Sequence, residues 1–558
     1  MIARSLWGDS PGFAGTIQCP ARGHISSFGN EVRDTSYPIV VTLVSVMTTV
    51  VLGASELTVR DVVSVARGGA TVELSSESIE AMESSRAHVD RLARSGRPVY
   101  GVSTGFGALA TRFIEPDKRR QLQRSLVRSH AAGSGPAVES EVVRAMMLLR
   151  LSTLCSGRTG VRPTTAQAYA ALLNAGITPL VHEYGSLGCS GDLAPLAHCA
   201  LVLTGEGAVV GADGERVPAT QALAAAGLEP IELEEKEGLS LINGTDGMTG
   251  MLALAVADLG SLARIADIAA SMSLEALLGT DRVLAADLQD LRPHPGQAAA
   301  ARNMTRLLEG SEIVASHRGD EDCRVQDAYS LRCAPQVAGA VRDTIAHAEA
   351  VAVREMASTI DNPVVLPDGR IESDGNFHGA PVAYALDFLA IAAADLASIS
   401  ERRTDRMLDT ARSNGLPPFL ADDPGVDSGH MIAQYTQASI VSEMKRLAVP
   451  ASVDSIPSSA MQEDHVSMGW NAARKLRRSI DGLGRVLAVE LLTAARALDL
   501  RAPLEPAAGT AAVRALIREH VEGAGADRYL GPEIEKAHEL VMDGSIIAAA
   551  ESAVGELG

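Results

Sequence analysis

Four long stretches of the sequence repeat apolar residues at helical spacing, and they constrain the fold more than any other feature. Each is well beyond the mean length of a helix in a globular protein. Helices of that length bury their apolar faces by packing along one another. The sequence therefore predicts a mainly α fold with a central bundle of long antiparallel helices, built from residues 248–278, 336–359, 381–409 and 466–500.

Composition supports this interpretation and narrows the range of partners. Hydrophobic residues make up 46% of the chain and aromatic residues only 3%, which favours helices because strands rely on aromatic side chains. A formal charge of −20 would repel nucleic acid and anionic lipid, so we expect small molecules and other subunits as partners. Six cysteines without a C-x-x-C pair are typical of free thiols in a reducing compartment, and we expect a cytoplasmic protein.

The first 46 residues differ from the rest of the chain. Residues 1–46 are rich in Gly, Ser and Pro, and we expect an extension that is disordered or not translated, with Met47 as the true start. The Thr/Val-rich run at 38–52 lies too far from the terminus for a signal peptide and suits a strand better than a membrane anchor.

The remaining chain, residues 47–558, is predicted to fall into three parts. A loop-rich part carries polar residues, the long helices follow it, and shorter helices end the chain. Within the first part, we expect residues 205–240 to form a connection on the surface. The three parts are predicted at residues 47–245, 246–500 and 501–558.

The most informative break between helices is the glycine-rich segment Gly185–Pro195. The amide nitrogen of Gly191 can attack the carbonyl carbon of Cys189, since glycine has no Cβ and allows the required backbone angles. Loss of one water closes a five-membered ring, and loss of a second from Ser190 leaves an exocyclic methylene. The product, a methylidene-imidazolone, is an electrophile that needs no external cofactor.

Two simpler interpretations of this segment compete. Ser190 could be a hydrolase nucleophile, but the nucleophile-elbow pattern needs Gly two residues later and Asp192 stands there. The segment could also be only a tight turn before a helix, which would begin near Asp192 with its carboxylate as the N-cap.

Elsewhere in the chain, six other polar segments accompany Gly185–Pro195 in a characteristic order. In these segments and their order, the chain resembles the aromatic amino acid ammonia-lyases. The resemblance extends from about Met47 to near the C-terminus, and within the family it is to the branch that acts on histidine. The six segments are Tyr100–Gly107, Leu241–Thr245, Gln326–Arg332, Asp361–Pro363, Gly375–His378 and Gln462–His465.

The resemblance implies a helical bundle like that of the fumarase/aspartase lyases and a homotetramer whose active sites draw on several chains. It also implies the non-oxidative elimination of ammonia from L-histidine to give trans-urocanate, with the electrophile formed from Cys189, Ser190 and Gly191 and no metal. Either the substrate amine or its imidazole ring would attack the electrophile; the residues leave that choice open.

The same resemblance assigns roles to residues elsewhere in the chain. Tyr100 is the candidate base, and a phenol needs cationic or dipolar neighbours to act near neutral pH. Arg332 would hold the substrate carboxylate, with Gln326 assisting. The remaining assignments are Tyr329 and Asn243, beside the carboxylate or the imidazolone oxygen, and Phe377 as a wall beside the ring.

Substrate choice is predicted from two polar residues. Relatives acting on histidine carry Ser-His where Ser129-His130 stands and Gln-Glu where Gln462-Glu463 stands. His130 and Glu463 can hydrogen-bond an imidazole, whereas a phenyl ring would leave them unpaired.

Several rival functions remain beside this one. A phenylalanine or tyrosine ammonia-lyase, or an aminomutase, would share the scaffold but differ at the Ser-His and Gln-Glu positions. A fumarase-type lyase lacks support because its Gly-Ser-Ser-x-Met-Pro loop is missing, and a non-catalytic helical assembly would not need Tyr100, Ser190, Asn243 and Arg332 together. A metal site through His378, Asp464 and His465 lacks the helical His-x-x-x-His spacing.

Two positions depart from the family pattern. The reacting triad more commonly begins with Ala than with Cys189, but only the backbone of this residue reacts. Met461 stands where relatives often have Asn.

Overall fold

The computed structural model describes residues 49–95, 98–319 and 325–558. Within these ranges the chain is mainly helical, and the predicted fold class is confirmed. The extension predicted at residues 1–46 lies outside the described residues, as do Cys19 and Cys323. The described cysteines Cys155, Cys189, Cys199 and Cys333 are free thiols.

The four predicted long helices are present with bounds close to those expected. They are α9 (Asp246–Ala276), α14 (Ala334–Met356), α15 (Ala380–Leu408) and α17 (Gly469–Asp499).

Shorter helices surround them. Before α9 these are α1 (Val59–Ala66), α2 (Ser76–Arg94), α3 (Arg119–His130), α4 (Ser140–Cys155), α5 (Pro163–Asn174), α6 (Leu193–Leu203), α7 (Ala219–Ala225) and α8 (Glu237–Ser240). After α9 they are α10 (Ala286–Asp290), α11 (Pro295–Leu307), α12 (Glu312–Ala315), α13 (Tyr329–Arg332), α16 (Met431–Leu447), α18 (Ala508–His520), α19 (Gly531–Met542) and α20 (Ser545–Val554).

Strands are short and occur as pairs. The first pair is parallel and the other three are antiparallel. The pairs are β1 (Thr49–Leu52) with β2 (Thr71–Leu74), β3 (Ser134–Ala137) with β4 (His182–Tyr184), β5 (Ala208–Val210) with β6 (Arg216–Pro218), and β7 (Val364–Val365) with β8 (Ile371–Glu372).

Three of the long helices begin at one place, around Met248 in the first turn of α9. A Cβ added to Gly379, just before α15, would lie 2.5 Å from the Met248 sulfur. One added to Gly469, the first residue of α17, would lie at the same distance. These close approaches place the N-termini of α9, α15 and α17 beside one another.

The same three helices also end together, so they run in one direction, and the predicted antiparallel arrangement of the four long helices holds only for α14. The Arg501 side chain, just past α17, donates to the carbonyl of Ala276 at the end of α9. Asn414, just past α15, donates to the carbonyl of Leu277. The helices α14 and α16 run antiparallel to them; α16, for example, pairs His430 with Thr493 and Gln437 with Val486 of α17.

A buried ion pair ties the bundle together towards the C-terminal ends of α9, α15 and α17. Arg403 of α15 donates two hydrogen bonds to Glu490 of α17, at 2.5 and 2.9 Å, and Ser273 of α9 donates to the same carboxylate at 2.7 Å. The helix α15 is long and apolar enough to cross a membrane, but 67% of its most apolar window is buried inside the fold. The burial of α15 in the core of the bundle therefore explains why this helix is so apolar.

The surface connection predicted at residues 205–240 is only partly correct. Its first part forms the β5–β6 hairpin and α7, but its end turns inward. The Lys236 ammonium lies 2.6 Å from the Asp361 carboxylate, and neither side chain has any solvent exposure. Glu237 is equally buried and accepts hydrogen bonds from Arg162 and Thr165. These ion pairs make the burial of a charged run possible.

Candidate active site

The loop at residues 185–192 is held from both ends. Ser186 donates to Asp192 at 2.8 Å and accepts the amide of Gly188 at 3.1 Å. Ser467, just before α17, donates to the carbonyl of Gly188 at 2.8 Å. The amide of Met468 donates to the carbonyl of Leu187 at 2.9 Å. These bonds fix a tight loop at the common start of the long helices.

Gly191 occupies a position that no other residue could take. Its φ is +81°, and an added Cβ would lie 2.0 Å from the carbonyl oxygen of Gly244. The amide of Asp192 donates to that same oxygen at 2.7 Å. The loop and the segment before α9 therefore meet backbone to backbone, and this contact requires glycine.

The Asp192 carboxylate does not cap the helix that it precedes, so that detail of the prediction is wrong. The helix α6 begins at Leu193 as expected, but the carboxylate accepts the amide of Met248, in the first turn of α9, at 2.9 Å. Burial raises the pKa of Asp192 to about 7, against the lowering effect of its bonds to Met248 and Ser186. Asp192 thus joins the loop to the start of α9.

The hydroxyl of Ser190 donates to the carboxylate of Glu463 at 3.0 Å. The hydroxyl of Ser458 donates to the other carboxylate oxygen at 2.8 Å. Cys189 packs with Val466 and Met468. Burial, and to a smaller extent Glu463, raises the pKa of the Cys189 thiol to about 12, so the sulfur is a neutral thiol.

Tyr100 lies near the same carboxylate. Its phenol oxygen accepts the amide of Gly107 at 3.1 Å, so a dipolar neighbour is present as expected. Burial raises the pKa of Tyr100, with Glu463 and Asp361 adding to the effect, and these outweigh the Gly107 amide. The expected activation of the phenol is therefore not found among the described residues of one chain.

His130 ends α3 and is half-buried. Its Nδ1 lies 2.9 Å from the carbonyl oxygen of Leu126. Because a carbonyl oxygen can only accept a hydrogen bond, the proton is on Nδ1, and Nε2 is left as an acceptor. Burial lowers the pKa of His130, against the raising effect of Glu463. The histidine is therefore neutral near neutral pH.

Asn243 is fixed by its backbone and its side chain. The fully buried Arg150 donates to the Asn243 carbonyl at 2.7 Å and to the Ile360 carbonyl at 2.7 Å. The Asn243 amide nitrogen donates to the carbonyl of Asn362 at 2.8 Å. Its side-chain oxygen is buried and has no hydrogen-bond partner among the described residues. Asn243 therefore keeps an unused acceptor beside the Gly191 contact.

Gln326, Tyr329 and Arg332 are not brought to this loop. Asp327 accepts the amide of Thr280, just beyond the end of α9, whereas the loop contacts its beginning. The 31 residues of α9 span about 45 Å, so the two groups lie at opposite ends of the bundle. The Arg332 guanidinium stacks 4.6 Å from the Tyr329 ring, and Tyr329 is 71% exposed.

Phe377 lies half-buried in a turn before α15. Its neighbour His378 hydrogen-bonds the carbonyl of His465 at 3.2 Å, and the two imidazole rings stack at 5.6 Å. The Phe377 and Glu463 segments are thereby joined. Among the described residues, no three His, Cys, Asp or Glu side chains are placed to share a metal ion.

Sequence reasoning missed three features that support the site. Arg150 and Lys236 are buried cations whose role depends on contacts distant in the sequence. The residues Ser459, Ala460 and Met461 all have positive φ, between 50° and 67°. Such backbone is strained in non-glycine residues and often clusters at functional sites. No sequence signal marks it, because none of the three residues favours that conformation.

Comparisons with known proteins identify the family of the chain. The aromatic amino acid lyase family model matches residues 57–519. The chain is 66% identical over 512 residues to a histidine ammonia-lyase of Streptomyces avermitilis, covering 92% of this chain and all of that protein. A tyrosine aminomutase from Streptomyces globisporus superposes with a TM-score of 0.88 at 39% identity, covering 92% of this chain and all of the other. A histidine ammonia-lyase from Trypanosoma cruzi gives 0.83 at 38%, with 91% and 96% covered. The chain belongs to the aromatic amino acid lyase family.

Proposed function

We propose that this chain is a histidine ammonia-lyase that eliminates ammonia from L-histidine and gives trans-urocanate. The observation that carries the proposal is the position of Glu463. Its carboxylate bonds Ser190 and acts on the pKa of both Tyr100 and His130. The candidate electrophile, base and imidazole-binding residues therefore share one neighbour. The 66% identity to a histidine ammonia-lyase supports the same reaction.

The electrophile is a methylidene-imidazolone formed by the chain itself from Cys189, Ser190 and Gly191. The residues present fit this group. Gly191 has the positive φ and the open side that ring closure needs, and a Cβ there would collide with Gly244. Only the backbone of Cys189 enters the ring, and its side chain packs with Val466 and Met468, so the departure from Ala leaves the ring chemistry unchanged. The formed group supplies an electrophilic carbon that makes ammonia easier to expel.

The helix N-termini around the loop strengthen this chemistry. The helices α6, α9, α15 and α17 all begin beside it, and the N-terminus of a helix carries a partial positive charge. Positive potential stabilises negative charge that develops on the ring oxygen. The side chain of Asn243, through its amide nitrogen or its unused carbonyl, orients the substrate carboxylate or the ring oxygen beside the loop.

Tyr100 removes the β-hydrogen of the substrate. Because burial and carboxylates raise the pKa of its phenol within one chain, the cation that activates it has to come from elsewhere. A guanidinium brought near by a second copy of the chain would lower that pKa. Arg332 is the residue that we assign to this position.

Recognition of histidine rests on His130 and Glu463. The neutral His130 offers Nε2 as an acceptor, and Glu463 offers carboxylate oxygens, so both N–H groups of a protonated imidazole ring find partners. A phenyl ring would leave both residues desolvated and unpaired. Unpaired buried polar groups cost about 1–3 kcal/mol each, which is enough to discriminate against phenylalanine. Phe377 forms a wall beside the ring.

Active sites shared between subunits of a homotetramer are the second part of the proposal. Gln326, Tyr329 and Arg332 lie about 45 Å from the loop in one chain, so they serve a site only through another copy. The exposed apolar residues Tyr384, Phe388 and Ile391 follow one face of α15 and suit a subunit interface. In this arrangement Arg332 and Gln326 hold the substrate carboxylate, and Tyr329 lies beside them. We place the enzyme in the cytoplasm, where free thiols persist.

The test is to incubate the purified protein separately with L-histidine, L-phenylalanine and L-tyrosine and follow the near-ultraviolet absorbance of the conjugated product. We expect turnover of histidine alone. Turnover of phenylalanine without histidine would overturn the substrate assignment. Formation of a β-amino acid from tyrosine would instead identify an aminomutase, the activity of one structural neighbour. Intact mass provides an independent test, since the mature chain should lack two waters.

A further inference from the structure

We propose that Glu463 is also a catalytic residue in forming the electrophile, as the acid that expels the hydroxyl of Ser190. This inference rests on the proposed self-formed ring but assigns Glu463 a step before any substrate arrives. It follows from which groups the structure places around the Ser190 hydroxyl while that hydroxyl is still present.

The Ser190 hydroxyl is held by a group able to transfer a proton. Its oxygen lies 3.0 Å from Oε1 of Glu463, which is within reach for direct proton transfer. Ser458 holds the other carboxylate oxygen at 2.8 Å, so the carboxyl is oriented from both sides. Hydroxide is a poor leaving group, so its elimination from Ser190 would be slow without a proton donor.

The side chains beside the hydroxyl narrow the choice of acid to Glu463. The adjacent Cys189 packs with Val466, which is fully buried, and with Met468, which is 3% exposed. The Cys189 thiol is kept neutral, with a pKa of about 12, and cannot serve as the acid. Among the described residues, Glu463 is the ionisable side chain hydrogen-bonded to this hydroxyl.

The step balances as the loss of one water. After ring closure, the Cα–H and Cβ–Oγ bonds of Ser190 break and a Cα–Cβ double bond forms. The Glu463 carboxylate, which accepts the Ser190 hydroxyl in the structure, first takes up a proton from solvent. It then gives this proton to Oγ, which departs as water, and the Cα proton passes to solvent water, so the carboxylate is restored.

This step also frees the carboxylate for its second role. Before it, Oε1 of Glu463 is occupied by the Ser190 hydroxyl; afterwards that oxygen has lost its partner and can bind an imidazole N–H. The imidazole-binding group thus becomes available in the same event that creates the electrophile. A chain that has not matured therefore binds histidine poorly as well as lacking the reactive carbon.

The experiment follows the mass of the peptide containing residues 185–195 at fixed times after cell-free synthesis of the full chain. The test variant is Glu463→Gln, which keeps the shape and hydrogen bonding but cannot donate an acidic proton. The matched control is Asp464→Asn, which makes the same charge change on an exposed neighbouring residue. Glu463→Asp tests whether a carboxyl at this place restores the step.

We expect the wild-type and Asp464→Asn chains to lose two waters. The Glu463→Gln chain should accumulate the form that has lost only one, with the second loss slowed about 100-fold, and Glu463→Asp should recover part of the rate.

Two outcomes overturn the inference: complete maturation of Glu463→Gln at the wild-type rate, or a Glu463→Gln peptide that retains both waters while circular dichroism shows a native fold. A wild-type chain that keeps both waters would refute the proposed self-formed ring itself, which distinguishes the two failures.

Discussion

Arg150 holds the backbone carbonyl of Asn243 from a position without any solvent exposure. One guanidinium nitrogen makes this bond at 2.7 Å and another bonds the carbonyl of Ile360 at 2.7 Å. The guanidinium also lies 3.5 Å from the carboxylate of Asp246. One side chain thus fixes two segments that border the reactive loop and compensates a buried charge.

Replacing Arg150 with Met should therefore destabilise the protein and disturb the site. Two buried carbonyls and one buried carboxylate would lose their partner, a loss that typically costs about 3–5 kcal/mol. Denaturant unfolding followed by circular dichroism measures the change. The control Arg124→Met, at an exposed position of α3, should change the unfolding free energy by less than about 0.5 kcal/mol. Equal effects of the two substitutions would contradict this role for Arg150.

A second prediction compares two glycines with similar backbone angles. Gly191 has φ +81° and Gly214 has φ +76°, but an added Cβ meets Gly244 only at the first, whereas nothing lies within 4 Å at the second. Gly214→Ala should cost about 1–2 kcal/mol from its backbone angle alone and leave maturation intact. Gly191→Ala should cost more and prevent the loss of either water. Intact mass and thermal unfolding measure the two effects, and a Gly191→Ala chain that still lost both waters would contradict the proposed ring closure.

A third prediction concerns pH and His198. Its Nε2 accepts the amide of Gly133, three residues after His130, at 3.2 Å. Burial lowers the pKa of His198 to about 4, and the His182 ring and Arg216 lower it further. Between pH 6.5 and about 4 the unfolded chain therefore binds more protons than the folded one, and stability falls as the pH falls through this window.

Replacing His198 with Gln should remove that pH dependence. The difference in unfolding free energy between wild type and variant should be largest above pH 6.5 and shrink towards pH 4. Urea unfolding at a series of pH values measures it. The control His520→Gln replaces an exposed histidine and should leave the wild-type slope unchanged. A slope that survives in His198→Gln would assign the effect to other groups.

The long helices could be predicted because their signal is local and repeated. The stretch 248–278 differs from α9 by two residues at each end, since apolar periodicity over some thirty residues averages out individual exceptions. The reactive loop could be located for a similar reason, because its glycines and Ser190 stand together in the sequence.

What could not be predicted depends on contacts between distant segments. The burial of Lys236 follows from its pairing with Asp361, 125 residues away, and a charged run otherwise indicates a solvated surface. The Asp192 carboxylate bonds α9 instead of its own helix because the two helix starts are adjacent only in the fold. Likewise, Arg332 and Ser190 are far apart because they lie at opposite ends of α9. Apolar periodicity predicts the length of this helix but not which segments pack at each of its ends.

That distance leads to a prediction about subunits. If each site takes Tyr100 from one chain and Arg332 from another, Tyr100→Phe and Arg332→Ala should each abolish turnover of histidine when prepared alone. Chains of both variants assembled together should regain activity, because some sites then receive both native residues. Random association of equal amounts gives about a quarter of the wild-type activity per site, since each native residue is present with a chance of about one half.

Co-expression of the two variants with different affinity tags, followed by purification through both tags, isolates the mixed assemblies. Intact mass should show two waters lost from both chains, because neither substitution touches Cys189, Ser190 or Gly191. Mixing the variants after separate purification, without exchange of subunits, is the control and should remain inactive. Inactive mixed assemblies with mature chains would mean that Tyr100 and Arg332 do not act from different copies. The position of Arg332 at the far end of α9 would then exclude it from the site altogether.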